Sequence, residues 1–154
     1  MTKLTKVCPR CGKSKPLSSF RLRSIKAKTI YPFCRPCETS YRFASPTAYW
    51  RIQNLPSARY RARKKGIPFT ITSEHVANLA EAQDNLCALT NFPLTYGPPR
   101  CPTNASLDRI CTNPTVGYIP SNVRIVCVRA NIMRLSMSDD ELHIWCQHIC
   151  DNKQ

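Results

Sequence analysis

Two paired-cysteine knuckles constrain the first part of the chain more than any other feature. Cys8-Pro9-Arg10-Cys11 and Cys34-Arg35-Pro36-Cys37 share the pattern Cys-x-x-Cys, and 22 residues separate them. Each knuckle can place two thiolates on one side of a tight turn, and two knuckles complete the tetrahedral sulfur shell that Zn²⁺ prefers. Four sulfurs leave no position open for a substrate, so we expect a structural zinc. The spacing predicts a four-cysteine zinc ribbon over residues 1–44 that depends on the metal to fold.

Ten cysteines in one chain also bear on its compartment. The sequence contains no run that approaches the roughly 18 apolar residues of a membrane span, and residues 1–6 do not lead into a signal-type apolar run. Because the cytosol keeps thiols reduced, metal binding and burial explain ten cysteines better than disulfides do. We therefore expect a cytoplasmic protein with no membrane partner, and a secreted disulfide scaffold is the alternative.

The positive charge is concentrated in the first half of the chain. Residues 1–70 contain 17 Lys and Arg and one acid, Glu38, whereas residues 71–154 contain six basic and eight acidic residues. This asymmetry predicts a polyanionic partner, and nucleic acid is the obvious one. A basic surface without a specific partner is the alternative. A charge count does not separate DNA from RNA.

Residues 45–72 are expected to form a basic helical linker. Ser45-Pro46 has the pattern of a helix N-cap followed by proline at the first helical position, and Pro56 is expected to break or kink that helix. A second helical piece should end at Gly66. The side chains expected to neutralise DNA phosphates are those of Arg59, Arg61, Arg63, Lys64 and Lys65. The aromatic residues expected to pack in the core or to stack are Tyr49, Trp50 and Tyr60.

Residues 73–154 show the order helix, strand, loop, strand, helix. Ser73 opens a helix, residues 106–110 and 123–128 have the character of strands around a loop, and a further helix begins at Ala130. A capping box, Ser138-x-x-Glu141, starts a last helix. Its apolar face is expected to pack in the core and consists of Leu142, Trp145, Cys146 and Ile149. The chain is thus predicted to be α+β.

Short runs in this region resemble a known family when they are taken together. The runs are Ser106-Leu107-Asp108-Arg109-Ile110, Gly117-Tyr118, Asn122-Val123, Val126-Cys127 and Asn131-Ile132-Met133-Arg134. Their order and spacing resemble HNH endonucleases, which are common in phages and among intron homing enzymes. Residues 63–70 and 87–90 also resemble the lead-in segments of those phage proteins, so the likeness covers roughly residues 57–135. The zinc knuckles ahead of it resemble small zinc-bound HNH restriction enzymes.

The resemblance implies a ββα-metal nuclease core over residues 73–154 and assigns roles to its residues. Asp108 matches the metal-binding acid, and Asn131 matches the His or Asn that completes the metal-binding site. Because both side chains offer oxygen ligands, Mg²⁺ or Mn²⁺ is the expected ion. Asn122 matches the central Asn, whose side chain holds the loop by hydrogen bonds to the backbone of the loop. Cys87 and Cys127 lie where relatives often carry a second pair of knuckles, but Thr90 and Ala130 stand at the partner positions. Buried thiols are then expected, or a second zinc site that also uses Cys101 and Cys111.

Arg109 departs from the family, because it occupies the position of the histidine that activates water. Arginine stays protonated and cannot act as a general base near neutral pH. Arg109 could hold the scissile phosphate while Tyr96, Tyr118 or His75 activates the water. The other two explanations are that the metal activates the water with little help, or that the enzyme is weak or inactive.

The sequence therefore predicts a metal-dependent endonuclease that hydrolyses phosphodiester bonds in double-stranded DNA, of a homing or restriction type. Compact HNH nucleases cut one strand per active site, so a double-strand break would need a homodimer. The rival interpretation is a non-enzymatic zinc-ribbon nucleic-acid binder with a regulatory or packaging role. That interpretation leaves the nuclease order of Asp108, Asn122 and Asn131 unexplained.

Overall fold

The computed structural model describes residues 4–24, 29–98 and 101–152. The chain divides into two compact units, Met1–Ala44 and Ser45–Gln154, and each unit buries side chains of its own. Within the described ranges, no helix has the length and apolar character needed to cross a membrane.

The first unit consists of two short hairpins followed by a helix. Strands β1 (Thr5–Val7) and β2 (Ser14–Pro16) pair antiparallel, as do β3 (Phe20–Ser24) and β4 (Thr29–Cys34), and helix α1 (Arg35–Arg42) follows directly. Gly12 has φ of +67°, a conformation that lets the chain turn back between β1 and β2. Pro36 lies in the first turn of α1, where its missing N–H costs nothing.

The core of the first unit is small, and cysteines supply most of it. The buried cluster consists of Cys8, Phe20 and Cys34, and the residues packed around it are Cys11, Ile30, Phe33 and Cys37. A core with one buried aromatic ring excludes too little apolar surface from water to hold such a unit without a further crosslink. The geometry of the four cysteines therefore decides whether this unit is stable.

The second unit opens with one long helix that contains a π-helical turn. It is built from α2 (Pro46–Tyr49), the π segment Trp50–Asn54 and α3 (Leu55–Lys64). The Ser45 hydroxyl accepts a hydrogen bond of 3.1 Å from the Ala48 amide, which confirms the predicted cap. Of the two predicted effects of Pro56, a break or a kink, the break does not occur, because the helix continues through a π-helical turn. The Leu55 amide bonds the Trp50 carbonyl five residues back, and this wider turn accommodates the proline without ending the helix.

This helix belongs to the core of the second unit. Tyr49 and Trp50 are buried, and the Tyr49 hydroxyl donates a hydrogen bond of 2.7 Å to the Ala105 carbonyl. Ala58 and Ala62 are buried on the same side of α3. Residues 45–64 are thus packed structure within this unit, and they are not a free-standing connection.

The remaining elements form a hairpin between helices. Helix α4 (Ser73–Ala82) is capped by the Thr72 hydroxyl, and strand β5 (Ala105–Arg109) pairs antiparallel with β6 (Val123–Cys127), which leads into helix α5 (Val128–Arg134). These bounds differ from the predicted ones by only one or two residues. Residues 69–72 alternate apolar and polar side chains as a short strand does, but they make one isolated bridge, between Phe69 and Tyr118.

The last helix, α6 (Asp139–Asp151), begins at the predicted capping box. The Ser138 hydroxyl and the Glu141 carboxylate each accept a hydrogen bond from the other residue's backbone amide. The predicted burial of its apolar face is wrong, because Trp145 is 62% exposed and Ile149 is 63% exposed. Only Leu142 and Cys146 are half-buried on this face. Helical periodicity located the face correctly, but it cannot say whether another element covers it.

Candidate functional site

The four knuckle cysteines converge on one point in the first unit. The sulfurs of Cys8, Cys11, Cys34 and Cys37 all lie within 4.8 Å of one another. The Cys34 amide donates a hydrogen bond of 3.3 Å to the Cys8 sulfur, which draws the second knuckle against the first. Four convergent thiols are the donor set that Zn²⁺ takes in structural sites, so the arrangement fits zinc.

Electrostatics at this cluster favour a cation. The hydrogen bond from the Cys34 amide is the largest factor that lowers the pKa of the Cys8 thiol, to about 6. Interactions with the neighbouring sulfurs, led by the hydrogen bond with Cys34, together with burial, raise the pKa of Cys37 to about 12. The Lys15 ammonium lies 3.5 Å from the Cys34 sulfur. One thiol ionises readily and another does not, so a bound cation is what would allow all four to act as thiolates.

Cys87 and Cys127 repeat the backbone geometry of the zinc knuckles without the second pair of thiols. The Cys127 amide donates a hydrogen bond of 3.1 Å to the Cys87 sulfur, as the Cys34 amide does to the Cys8 sulfur. Cys34 and Cys127 each end a strand and occupy the N-cap position of the next helix. Cys87 and Cys127 are both buried. Within the described ranges, the first-unit cluster is the only group of three or more His, Cys, Asp or Glu residues with metal-ligand geometry. A second zinc site that includes Cys101 and Cys111 is therefore not formed among these residues.

Asn122 holds the loop between the two hairpin strands. Its side-chain oxygen accepts a hydrogen bond of 2.8 Å from the Cys111 amide, and its nitrogen donates to the Cys111 carbonyl at 3.0 Å and the Gly117 carbonyl at 2.8 Å. The residue is 4% exposed. Both amide protons and the oxygen are thus committed to the backbone, and this side chain shapes the loop without being available for chemistry.

Asp108 lies in a buried ion-pair network instead of facing an open site. It is 5% exposed, and its oxygens accept hydrogen bonds of 2.9 Å from Arg134 and 2.9 Å from Arg124. The two guanidinium groups also bind Asp139, Arg134 at 3.1 Å and Arg124 at 2.6 Å. Two acids and two bases neutralise each other. Arg134 further donates to the carbonyls of Arg109 and Ile110, so it also fixes the end of β5.

Asn131 lies on α5 and faces the same strand as Asp108. Its amide nitrogen donates to the Ser106 hydroxyl at 2.8 Å and to the Leu107 carbonyl at 3.1 Å. The predicted pair is therefore brought to one side of the hairpin. In this arrangement the pair does not fit a divalent cation, because each Asp108 oxygen already binds a guanidinium and a cation there would meet two positive charges. The assignment of Asp108 and Asn131 as metal ligands stays a prediction.

Arg109 points away from this network and stacks on an aromatic ring. Its guanidinium lies 5.2 Å from the centroid of the Tyr118 ring, and its Nη1 atom is buried without a hydrogen-bond partner. Tyr118 in turn packs on Phe69, with ring centroids 5.3 Å apart. Because the residue as a whole is only half-buried, this permanently charged group is suited to bind an anion such as a phosphate oxygen.

Of the three predicted water-activating residues, only Tyr118 lies against Arg109. Burial raises the pKa of Tyr96 to about 12, and its hydroxyl donates a hydrogen bond of 2.7 Å to the Asn85 side chain. Tyr96 is therefore a poor base near neutral pH. His75 lies in the first turn of α4, where its amide bonds the Thr72 hydroxyl. Tyr118 contacts Arg109, and its role with the attacking water stays a prediction.

The five predicted DNA-contacting residues, on α3 and at its C-cap, fall into two groups. Arg59 and Arg63 line one cavity of about 560 Å³ together with Arg51, which the charge pattern of the sequence did not single out. Arg61, Lys64 and Lys65 are exposed and lie outside the lining of that cavity. A sequence count of positive charge cannot distinguish these two groups, since both belong to the same basic run.

Arg124, Arg134 and Asp139 are the network residues that sequence reasoning did not assign a role. Arg124 and Asp108 are direct cross-strand partners in the hairpin register, and such opposite-charge pairs stabilise a sheet. The signal available in the sequence was the opposite charge of these two residues on two predicted strands. The burial of Arg134, which is 1% exposed, follows from tertiary packing and has no such signal.

Comparison with known proteins provides one structural likeness. No protein-family model matches the chain, and no curated protein matches it. Among solved structures, the chain is similar to the rare-cutting HNH restriction endonuclease PacI, which is described as perturbing DNA by an extraordinary mechanism. The sequence identity is 21% and the TM-score is 0.45, over 92% of this chain and 91% of that chain. Likeness at this level does not assign a function, so we base the function on the residues of this chain.

Proposed function

We propose that this protein is a DNA endonuclease of the HNH type that cleaves phosphodiester bonds. The observation that carries the proposal is the placement of Asn122. A single buried amide closes the loop between two antiparallel strands, and a helix that carries Asn131 follows the second strand. The sequence motif implies this placement for an HNH hairpin, and a general DNA-binding fold has no need of it.

In the proposed reaction, Arg109 is the residue that contacts the scissile phosphate. Arg109 is half-buried and permanently charged, and a fixed guanidinium stabilises the negative charge that develops on the phosphoryl oxygens as water adds to phosphorus and the P–O bond to the leaving strand breaks. Tyr118 lies beside it and is the candidate to orient the attacking water. Asp108, through Arg134, positions the backbone of Arg109. A restriction-type or homing-type role, and a homodimer for double-strand cuts, form part of the same proposal.

The first unit has a separate task in this proposal. The four-cysteine cluster would bind structural zinc, and residues 1–44 would add positive charge for the DNA backbone. The zinc would stabilise this unit and take no part in the reaction.

Plasmid cleavage by the zinc-loaded chain tests the function. Supercoiled plasmid is incubated with Mg²⁺, with Mn²⁺ or without added divalent ions. The amounts of nicked and linear product are then measured over time. We expect Arg109→Ala to lower the cleavage rate by 10²-fold or more, in the range of about 10²–10³-fold typical for loss of one charge-stabilising donor. Arg129→Ala is the matched control, because it removes one arginine from the same unit at an exposed position on α5. Equal losses in both variants would contradict the role of Arg109.

A second candidate function is DNA binding without cleavage. The observation that favours it is the neutralised state of Asp108, which is engaged by two arginines and not exposed to a cation. Tight binding of duplex DNA, with no product under any of the ion conditions, would support this candidate and overturn the proposed nuclease activity.

A further inference from the structure

An arginine groove lies between the long helix and the start of α4. Its cavity has a volume of about 560 Å³, and we define the arginine groove by its three cationic lining residues, Arg51, Arg59 and Arg63. The tyrosine ring of Tyr60, which is 61% exposed, also lines it. Three guanidinium groups around one concave surface create a concentrated positive potential that a solvated convex face does not have.

An internal carboxylate already lies in this groove. Glu74 lines the cavity, and its carboxylate accepts a hydrogen bond of 3.0 Å from the Ser73 hydroxyl. A hydrogen bond from its own backbone amide is the largest cause that lowers the pKa of Glu74, and the charge of Arg51 contributes. The groove therefore accommodates an anion, and an incoming anionic ligand would compete with Glu74 for the same positive field.

A stack of two cations and two rings connects the groove to Arg109. The Arg59 guanidinium lies 5.2 Å from the centroid of the Phe69 ring, and Phe69 packs on Tyr118. The Arg109 guanidinium in turn lies 5.2 Å from the centroid of the Tyr118 ring. The backbone fixes this stack, because the Thr70 amide bonds the Tyr118 carbonyl and the Tyr118 amide bonds the Pro68 carbonyl. The arginine groove and Arg109 are thus joined by one row of packed cations and rings, which paired backbone holds in place.

We propose that the arginine groove binds the phosphodiester backbone of one DNA strand and guides it along this stack to Arg109. The inference rests on the proposed function for the role of Arg109, and it adds the path of the substrate. A nucleic acid fits this surface because it presents phosphates at regular short intervals, about one per 3.4 Å along each strand. Guanidinium groups can bind successive phosphates, and the exposed ring of Tyr60 beside them can stack on a base. Arg61, Lys64 and Lys65 contribute only a screened field.

Salt-dependent DNA binding tests the groove. Fluorescence anisotropy of a labelled DNA duplex is measured with the zinc-loaded full chain in the absence of Mg²⁺ and Mn²⁺, so that cleavage is not required. The triple variant Arg51→Ala, Arg59→Ala, Arg63→Ala is compared with the control triple variant Arg61→Ala, Lys64→Ala, Lys65→Ala. Both triples remove three positive charges from residues 51–65. We expect the groove triple to reduce the slope of log K against log salt by about 2–3, at about 0.9 per lost phosphate contact, and the control triple by less than about 1.

Two single-residue variants, Arg63→Ala in the groove and Arg61→Ala as its control, repeat the comparison in case the triple variants fold poorly. Glu74→Gln should tighten binding at low salt, since it removes the competing carboxylate. Equal losses in the groove and control variants would overturn the inference, and so would weaker binding by Glu74→Gln. Polyglutamate that binds as tightly as the duplex, with the same dependence on the groove, would replace DNA with an acidic protein as the partner. An absence of cleavage leaves this test unaffected and bears only on the nuclease.

Discussion

Substitution of Gly117 by alanine should push the loop that Asn122 closes away from Pro68. The backbone pairing of Tyr118 with residues 68–70 would then break. Gly117 has φ of +71°, and a Cβ atom there would lie 2.4 Å from the Pro68 carbonyl oxygen and 2.9 Å from its ring carbons. That carbonyl accepts the Tyr118 amide at 2.8 Å, so it cannot move away without breaking the pairing. The clash is therefore with backbone, and no flexible side chain can absorb it.

The cost of this substitution has two parts. A non-glycine residue in the left-handed region costs about 1–2 kcal/mol. Overpacking against fixed neighbours adds about 1–3 kcal/mol. We therefore expect Gly117→Ala to lower the free energy of unfolding by about 2–5 kcal/mol. Because Tyr118 would shift, the variant should also lose activity that depends on Arg109.

Gly66→Ala provides a matched control for the strain alone. Gly66 has φ of +65°, close to that of Gly117, but a Cβ atom added there would meet no other atom within 4 Å. Urea unfolding followed by the emission of Trp50, which is fully buried, reports on the second unit. Gly66→Ala should lower the free energy of unfolding by the backbone strain alone, about 1–2 kcal/mol. Equal losses in the two variants would refute the argument that Pro68 blocks the site.

Three further predictions follow from the same contacts. Chelation of zinc should unfold residues 1–44, which would appear as a loss of circular dichroism, while the emission of Trp50 stays unchanged. A first unit that stays folded without metal would contradict the zinc assignment. Asn122→Ala should lower the free energy of unfolding by about 2–4 kcal/mol, since it leaves buried loop groups unpaired; a loss below about 1 kcal/mol would show that the loop does not need the amide. Hydrogen bonds from Arg124 lower the pKa of Asp139, so its contribution to stability is present above the ordinary aspartate pKa and decreases as pH falls through the folded value. Asp139→Asn should flatten the acid limb of a stability–pH curve, and an unchanged limb would exclude this ion pair as its cause.

Local patterns in the sequence predicted much of this protein. The Cys-x-x-Cys spacing predicted a four-sulfur cluster, and the structure brings the four sulfurs together. Side-chain caps at Ser45 and Ser138 are where the sequence predicts them, because a cap depends only on residues within one helical turn. The hairpin strands likewise follow from short periodic runs.

Contacts between distant residues could be decided only by the tertiary structure. Arg134 and Asp108 are 26 positions apart, and their burial together depends on how α5 packs on β5. The sequence could name Asp108 as an acid suited to a metal, but it could not show that two guanidiniums neutralise it. Trp145 is the converse case, because its periodicity is that of a buried face and no described element covers it.

The sequence by itself determined the composition of each site, and the fold determined its electrostatic state. Residue type and spacing fix which donors and charges are available, since those are chemical properties of the side chains. Burial and the distance to an opposite charge set whether a group is free to bind an ion, and both depend on residues far away in the chain. For this reason Arg109 is left with an unsatisfied donor, while Asp108, its immediate neighbour, is fully engaged.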